Sequence, residues 1–330
     1  MVLATTVLLG IARSAQAQTL IASDNGYGVP FGQALVVESF GVLENDTLDG
    51  DNAGENGATA ELVSDVSHGT LECESNPALS LCEDGSFTYT PDASFPGIDT
   101  FTYQAVAGAD TSQATVTLTA CSGGPTVYTC WKEMPYLAKL AELGYSNFQE
   151  GFEDNAAWGS VREPNTAPSI ASQGIVWETN HPATNEITTG SGPARTGQWG
   201  IYDPNHGYAT GSPTECDIDN TPVSCLFYDG FTGTRVPGES NLYGVGGFFT
   251  GFTGANLVYI LDGSNQIDVG KLPDPGHHFL GVIDTNGFTE FEAREIDGKI
   301  GQARFIFADD FTFAIKNRAM PWIPLLLLGD

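Results

Sequence analysis

Oxygen-bearing side chains crowd a short stretch that follows the apolar residues 41–43. Brought together, these side chains would repel one another, so water or a cation must neutralise them. Ca²⁺ accepts about six to eight oxygen ligands and tolerates irregular geometry. We therefore predict a calcium site, with a solvated acidic turn as the alternative because Asn, Asp and Gly favour turns. The predicted ligands are Asn45, Asp46, Asp49 and Asp51, with Asn52 beside them.

This stretch belongs to a series of short motifs with strand character. Residues 87–90 and 115–118 alternate apolar and polar side chains with a period of two, which is typical of half-buried strands. Turn residues separate the motifs at regular spacing, and such a pattern indicates a β-sandwich. The motifs are residues 27–29, 35–37, 41–46, 60–63, 68–71, 84–91, 95–103 and 114–118.

The ordered series resembles the cadherin-like, immunoglobulin-like repeat of bacterial surface proteins, the module of tandem-95 and VCBS-type adhesins. The resemblance covers residues 19–120 and implies a small calcium-associated β-sandwich in a secreted or surface-displayed protein. The sequence departs from the family in the connection after residues 68–71, which is enlarged. Cys73 and Cys82 flank this insertion, and a disulfide between them would close it.

The six cysteines fall into three pairs, each with eight intervening residues. The repeated spacing favours three local disulfides over the other connectivities. Metal binding is the alternative, but zinc sites prefer more closely spaced cysteines with nearby histidines. Local disulfides indicate an oxidising compartment. The predicted pairs are Cys73 with Cys82, Cys121 with Cys130, and Cys216 with Cys225.

The two ends of the chain also bear on its location. Residues 1–17 are predicted to be a secretory signal peptide, because residues 2–11 are apolar and residues 14–17 supply a small-x-small cleavage pattern. Residues 316–330 form an apolar tail far below the roughly 20 residues needed to span a bilayer. We expect a bacterial protein that is secreted or displayed on the outer cell surface, with no membrane span in the mature chain.

Composition sets the broad class. Forty-one acidic against 12 basic residues give a formal net charge of −29, which argues against nucleic acid and anionic membranes as partners. Aromatic residues are plentiful and long helical periodicities are nearly absent, so we predict an all-β protein of two domains. One short helix is expected in the disulfide-closed linker at 121–146, where Leu137, Leu140 and Leu143 form a stripe that Gly144 ends.

Residues 147–315 are predicted to form the second domain. Short apolar runs alternate with turn residues, and about eight to ten strands over this length are typical of a β jelly roll. A hairpin is expected around Asp262 and Gly263, since an Asp-Gly pair between two apolar runs favours a tight turn.

The ends of this region resemble the carbohydrate-binding-like jelly-roll modules of exported bacterial proteins. The matching motifs are the acidic strand at 152–154 and the closing segments 280–282, 287–291 and 307–313. The resemblance implies a structural Ca²⁺ held by the opening Glu and a closing Asp. By position the ligands are Glu153, Asp309 and Asp310, with Asp154 as a further candidate. For either adjacent aspartate, a side chain that simply points outward is the alternative.

No catalytic motif is present: the sequence lacks a G-x-S-x-G elbow, an H-E-x-x-H zinc motif and a phosphate-binding loop. We therefore expect no enzymatic activity. Aromatic side chains in Gly- and Asn-rich segments suggest binding instead, because their flat faces can stack on sugar rings. Burial in a sandwich core is the alternative. The candidates are Trp158, Trp177, Trp199 and Tyr202.

These features predict a calcium-stabilised adhesion or carbohydrate-binding protein whose partner is a polysaccharide or a cell-surface glycan. A second hypothesis is a structural subunit of an extracellular filament or matrix, in which copies of the chain join through strand edges or the apolar tail. A glycan-acting hydrolase is the third, since two carboxylates can suffice for that chemistry.

Overall fold

The computed structural model describes residues 19–180, 186–192, 194–202, 204, 229–251, 256–272, 276–296 and 306–317. The predicted signal peptide, the apolar tail beyond residue 317 and the Cys216–Cys225 pair lie outside them. The described chain divides into two compact units. The first unit comprises residues up to Asn25, Val36–Tyr89 and Thr100–Thr117, and the second comprises Gly26–Leu35, Thr90–Asp99 and residues from Leu118 onwards.

The protein is all-β, as predicted. The earlier strands are β1 (Leu20–Ile21), β2 (Asn25–Gly28), β3 (Leu35–Val37), β4 (Thr47–Leu48), β5 (Asp51–Asn52), β6 (Thr59–Ser64), β7 (Gly69–Glu72), β8 (Phe87–Pro91), β9 (Ile98–Ala107) and β10 (Asp110–Thr119). The later strands are β11 (Cys121–Gly123), β12 (Val127–Cys130), β13 (Tyr145–Glu150), β14 (Ser169–Ser172), β15 (Ile175–Thr179), β16 (Thr188–Gly190), β17 (Gly200–Tyr202), β18 (Asp229–Arg235), β19 (Leu242–Gly251), β20 (Asn256–Leu261), β21 (Asn265–Lys271), β22 (His278–Phe288), β23 (Glu290–Glu295) and β24 (Ile306–Lys316). The α-helices of the described residues are α1 (Glu133–Glu142) and α2 (Asn155–Trp158).

Residues 20–119 form three small sheets. They have the strand orders β1–β4–β5, β3–β8–β7 and β2–β10–β9–β6. Along β8 and β9 alternate side chains are buried, as the period-two pattern predicts. Phe87 of β8 meets Phe101 of β9 edge to face, with 5.3 Å between ring centres. These inward-facing rings form the core of the predicted sandwich.

Two antiparallel sheets form the second unit. One has the order β11–β12–β22–β19–β24–β17–β16, with β13 also paired to β24, and the other has the order β14–β15–β18–β23–β20–β21. They share an aromatic core in which Trp177 lies 5.1 Å from Phe311 and 5.7 Å from Phe291, measured between ring centres. This is the double-sheet architecture expected of a jelly roll. The hairpin around Asp262 and Gly263 is present as β20 and β21.

Helix α1 covers the outer face of the larger sheet. Leu140 and Tyr136 are fully buried beneath it, and the Tyr136 hydroxyl donates to the carbonyl oxygen of Thr312 at 3.1 Å. Gly144 follows with a φ of 75°, which ends the helix as predicted. Residues 121–146 thus pack within the second unit, where β12 pairs with β22 and extends the sheet.

Both predicted disulfides within the described residues are present. Cys73 and Cys82 close the insertion in the first unit, with their Cα atoms 4.9 Å apart. Cys121 and Cys130 are cross-strand partners in the hairpin of β11 and β12. Two disulfides are consistent with an oxidising compartment. No helix in the described parts of the chain is long and apolar enough to cross a membrane.

Two segments predicted as strands have other structures. Residues Gly41–Leu43 form a 3₁₀ helix that follows Phe40, whose φ of 67° turns the chain away from an extended path. The acidic segment at 152–154 lies after β13, and Phe152 has a φ of 59°. Asp154 then caps α2, because its carboxylate accepts the N–H of Ala156 at 2.8 Å.

Candidate functional site

Asp46 is the buried centre of the first predicted calcium loop. Its side chain is 1% exposed and accepts the backbone N–H of Ser23 at 2.8 Å. The Tyr103 hydroxyl lies 2.8 and 2.9 Å from its two oxygens. Burial raises the pKa of the Asp46 carboxyl, and these two donors oppose that rise. The carboxylate is therefore held by protein donors on both oxygens.

The other predicted ligands in this loop serve separate backbone partners. Asn45 donates its side-chain amide to the carbonyl oxygen of Asp24 at 2.9 Å, and Asp49 accepts the N–H of Thr19 at 2.8 Å. Asp51 is exposed. These side chains brace the loop to the chain around it, as Asx motifs do. They do not converge on a common point.

The second group of predicted calcium ligands, Glu153, Asp309 and Asp310, contacts one segment, residues 195–199. The carboxylate of Glu153 accepts the N–H groups of Gln198 and Trp199 at 2.7 and 2.8 Å. Gly197 lies between these contacts with a φ of 62°, and a Cβ at this position would collide with the Glu153 carboxylate. Glycine is therefore required for the segment to wrap so closely around an acidic side chain.

Asp309 binds the other half of the same segment. Its side chain is fully buried and accepts the N–H groups of Arg195 and Thr196 at 2.7 and 3.1 Å. Burial raises the pKa of Asp309 to about 6, against the opposing effect of these N–H donors. Neighbouring Asp310 pairs with the Arg195 guanidinium at 2.8 Å. We call Glu153, Asp309, Asp310 and residues 195–199 the acidic clamp.

The acidic clamp brings together residues far apart in sequence, as the resemblance implied, but its carboxylates face N–H groups and a guanidinium. Across the described ranges, no group of three or more His, Cys, Asp or Glu side chains is placed to hold a metal ion. The arrangement therefore offers Ca²⁺ no ready ligand shell, because the oxygens that a cation needs already accept hydrogen bonds. The calcium sites remain predictions.

Three of the four aromatic side chains predicted to stack on sugars lie in the core instead. Trp158 and Trp177 are fully buried and Tyr202 is 8% exposed, so none presents an open face. Burial, with the nearby Glu163 carboxylate, raises the pKa of Tyr202 to about 12. Trp177 lies on the inward face of β15 and Tyr202 on the fully buried β17, whereas Trp158 ends helix α2 and packs against Phe152. Trp199 is half-buried, and the Arg162 guanidinium lies 4.4 Å from its ring centre.

A different set of rings lines a pocket that has a volume of about 670 Å³ and lies wholly within the second unit. Phe31 and Trp131 are half-buried there, with 5.4 Å between their ring centres. The Trp131 indole N–H donates to the carbonyl oxygen of Val29 at 2.8 Å, and Phe95 packs against the same ring at 5.3 Å. The ring of Trp131 is therefore held in place before any ligand arrives. We call this the aromatic pocket.

Polar and flexible side chains complete the aromatic pocket. Met134 is 51% exposed at its rim, and Phe248 and Phe279 lie deeper, almost buried. The polar lining residues are Gln33, Asp92, Lys132, Glu133, His277 and His278. Apolar rings combined with a few hydrogen-bonding groups are typical of sites for small molecules.

Arg195 connects the aromatic pocket with the acidic clamp. Its guanidinium lies 3.4 Å from the ring centre of Phe248, which lines the pocket. The same guanidinium pairs with Asp310 in the clamp and lies 4.0 Å from the carboxylate of Glu133 in the pocket. One side chain of the clamp thus contacts two residues that line the pocket.

The sequence alone did not predict this pocket, because its residues lie far apart in the chain. Phe31 stands in a turn, and Trp131 falls within the segment predicted as the linker helix. One usable signal was present: Trp131 directly follows Cys130, so a disulfide between neighbouring strands holds a large ring next to it.

Comparison with known proteins identifies the first region. A model of the bacterial Ig domain family matches residues 17–119, which confirms the immunoglobulin-like repeat predicted at 19–120. Domains of this kind are non-catalytic and are typical of extracellular or surface proteins. No curated protein matches the chain.

Two solved structures of Clostridium perfringens ZmpB are similar to the chain at low level. One contains CBM51-2 in complex with GlcNAc together with INT domains, at 12% identity and a TM-score of 0.23. The other contains CBM51-2 and INT domains, at 11% identity and a TM-score of 0.21. Each match covers 90% of this chain and 48% of the other, so the chain spans about half the length of these neighbours. TM-scores this low support no conclusion about fold or ligand.

Proposed function

We propose that the protein is a non-catalytic, exported bacterial protein that binds a polysaccharide or a cell-surface glycan at the aromatic pocket. The observation that carries the proposal is the pair of Phe31 and Trp131, two partly exposed rings fixed beside polar side chains. Aromatic faces bind the apolar faces of sugar rings, while amide, carboxylate and imidazole groups bind their hydroxyls. The pocket volume of about 670 Å³ lies within the range usual for small-molecule sites.

Export and surface display are supported by two features outside the pocket. The disulfides at Cys73–Cys82 and Cys121–Cys130 suit an oxidising environment. The bacterial Ig domain at 17–119 suits a spacer or a display module. The first unit then serves as the spacer, and the second unit, which includes residues 26–35 and 90–99 of the matched region, binds the ligand.

The test is retention of the chain, prepared from Gln18 onwards, on immobilised neutral polysaccharides, with its size measured in parallel. We expect wild-type protein to be retained on at least one polysaccharide as a monomer. Phe31→Ala should weaken retention about tenfold, because one stacking face is lost. Phe40→Ala is the matched control: this phenylalanine is 40% exposed in the first unit and does not line the pocket.

Circular dichroism must confirm that each variant is folded. Folded wild-type protein that no polysaccharide retains would overturn the proposal. Large assemblies without retention would instead support the filament or matrix hypothesis.

Calcium stabilisation is a separate part of the proposal. It is supported by the excess of carboxylates and by the meeting of Glu153, Asp309 and Asp310 around one segment, and not by a ligand shell in the described residues. Extracellular calcium modules bind with Kd values of about 10⁻⁴–10⁻³ M. The melting temperature should therefore rise between chelator and millimolar Ca²⁺, and Glu153→Gln should reduce the rise. Glu142→Gln on α1 is the control. An unchanged melting temperature together with no calorimetric heat would contradict a calcium role.

A further inference from the structure

A second pocket lies beside the aromatic pocket and is also contained in the second unit. It has a volume of about 650 Å³. Six of its twelve lining residues have polar side chains. The hydroxyls of Ser122 and Thr129 lie only 3.2 Å apart, and Gln33, Asn256, Asp268 and Lys271 are the other four. Hydroxyl, amide and charged groups in this density provide both donors and acceptors for sugar hydroxyls. We call this the polar pocket.

The two pockets share one wall. Phe31, Gly32 and Gln33 line both of them. Gly32 and Gln33 are exposed, and a Cβ added at Gly32 would meet no atom within 4 Å. Gly32 has no side chain, so at this position the shared wall does not block a ligand that extends from one pocket to the other.

The charges of the two linings are nearly balanced. Asp92, Glu133 and Asp268 contribute three carboxylates, against the ammonium groups of Lys132 and Lys271. The whole chain, by contrast, has 41 acidic and 12 basic residues. Two of those few basic residues therefore lie here. An uncharged ligand fits such a lining, whereas the net charge of −29 repels an acidic one.

From these observations we infer that the ligand is a linear neutral polysaccharide, bound along its length across both pockets with the segment 31–33 beneath it. The inference rests on the proposed function and deepens it by naming the ligand class and the manner of binding. Rings in the aromatic pocket stack on one part of the chain, and the polar pocket binds the hydroxyls of the next part. A short fragment occupies only one pocket, so affinity should depend on ligand length.

The test uses neutral glucan, mannan, galactan and xylan, with alginate as an acidic comparison. Fragments of the retained polysaccharide, from two to ten sugar units, are then titrated by calorimetry. We expect affinity to increase at least tenfold from the shortest to the longest fragment. Asn256→Ala and Lys271→Ala in the polar pocket should each lower affinity for long fragments several-fold and leave short fragments unaffected. The control is Lys139→Ala, at a half-buried lysine of α1 that pairs with Glu142 and lines neither pocket.

The outcomes separate the inference from the proposed function. If no polysaccharide retains the protein, both are overturned. If short fragments bind as tightly as long ones, if the polar-pocket variants bind long fragments like wild type, or if alginate is preferred, the inference is overturned. Binding at the aromatic pocket alone would then stand.

Discussion

At the scale of single residues, two of the buried aspartates, Asp46 and Asp309, show how the protein accommodates its excess of acidic groups. Asp46 and Asp309 are each held by backbone N–H groups, and Asp46 also by the Tyr103 hydroxyl. A buried carboxylate is tolerated only when such donors replace water. The donors fix two loops, so a change at either carboxylate affects the structure around it as well as the local charge.

Tyr103→Phe should destabilise the first unit by about 1–3 kcal/mol, because the buried carboxylate of Asp46 would lose its hydroxyl donor and keep the N–H of Ser23. Urea unfolding followed by fluorescence measures the change. Tyr89→Phe is the matched control, since the Tyr89 hydroxyl donates to a neutral carbonyl, that of His68, at 3.2 Å. Its loss should be smaller, and equal losses would contradict a special role for the Asp46 contact.

The raised pKa of Asp309, about 6, predicts a pH dependence of stability. The folded protein holds this proton more tightly than the unfolded chain, whose Asp pKa is near 3.9, so stability increases as pH falls through 6 and the gain is complete below about 4. Measured in chelator, wild type should gain about 1 kcal/mol between pH 7 and pH 5 relative to Asp309→Asn. Parallel pH profiles for the two proteins would show that Asp309 does not titrate in this range.

At the scale of elements, helix α1 covers the outer face of the larger sheet and buries it. The outer face of the larger sheet carries Phe279 and Ile283, and Leu140 and Tyr136 of α1 cover them. A ten-residue helix is marginal alone in water, so its stability comes from this packing. The rim of the aromatic pocket includes Met134 at the start of the same helix.

Leu140→Ala should therefore cost about 2–5 kcal/mol of stability, because it leaves a cavity between helix and sheet. Chemical denaturation measures the loss. Glu142→Ala, at a side chain that is 64% exposed, should change stability by less than about 0.5 kcal/mol. A loss at Leu140 no larger than that at Glu142 would mean that the helix does not hold the sheet face.

Elements with local signals could be predicted from the sequence. The stripe of leucines before Gly144 and the Asp262-Gly263 turn each encode their structure within a few residues, and both are present. The prediction of strands at residues 41–43 and 152–154 was wrong. Phe40 and Phe152 have positive φ values, which the surrounding structure imposes and the local sequence pattern does not indicate. The family resemblance supplied the Ig-like repeat, since several motifs occur in order.

The candidate site was harder to predict from the sequence. Glu153 contacts residues 198–199, some 45 positions away, because strands distant in sequence pair with one another. The same holds for Phe31 and Trp131, which are 100 residues apart in sequence. Whether a tryptophan is buried or open depends on what packs over it in the folded chain, and the sequence did not separate Trp158 and Trp177 from Trp131 on this point.

At the scale of the whole molecule, the net charge of −29 predicts a strong response to salt. Like charges over the surface favour expansion, and added ions screen them. The melting temperature should rise by several degrees between about 10 mM and about 0.5 M NaCl, as scanning calorimetry measures. An equal osmolality of sucrose separates screening from solute exclusion. A melting temperature that falls with salt would contradict net self-repulsion.

The position of β24 governs when the second unit can form. This strand, the last in the described chain, has β19 on one edge and β13 and β17 on the other, and its Phe311 and Phe313 enter the aromatic core. During synthesis or export the chain emerges from its N-terminus, so the first unit is complete once residue 117 is out. Until residues 306–316 follow, β13, β17 and β19 lack the strand that pairs with them, and the aromatic core lacks Phe311 and Phe313. Any factor that shields exposed apolar strands from aggregation is needed during that interval and no longer.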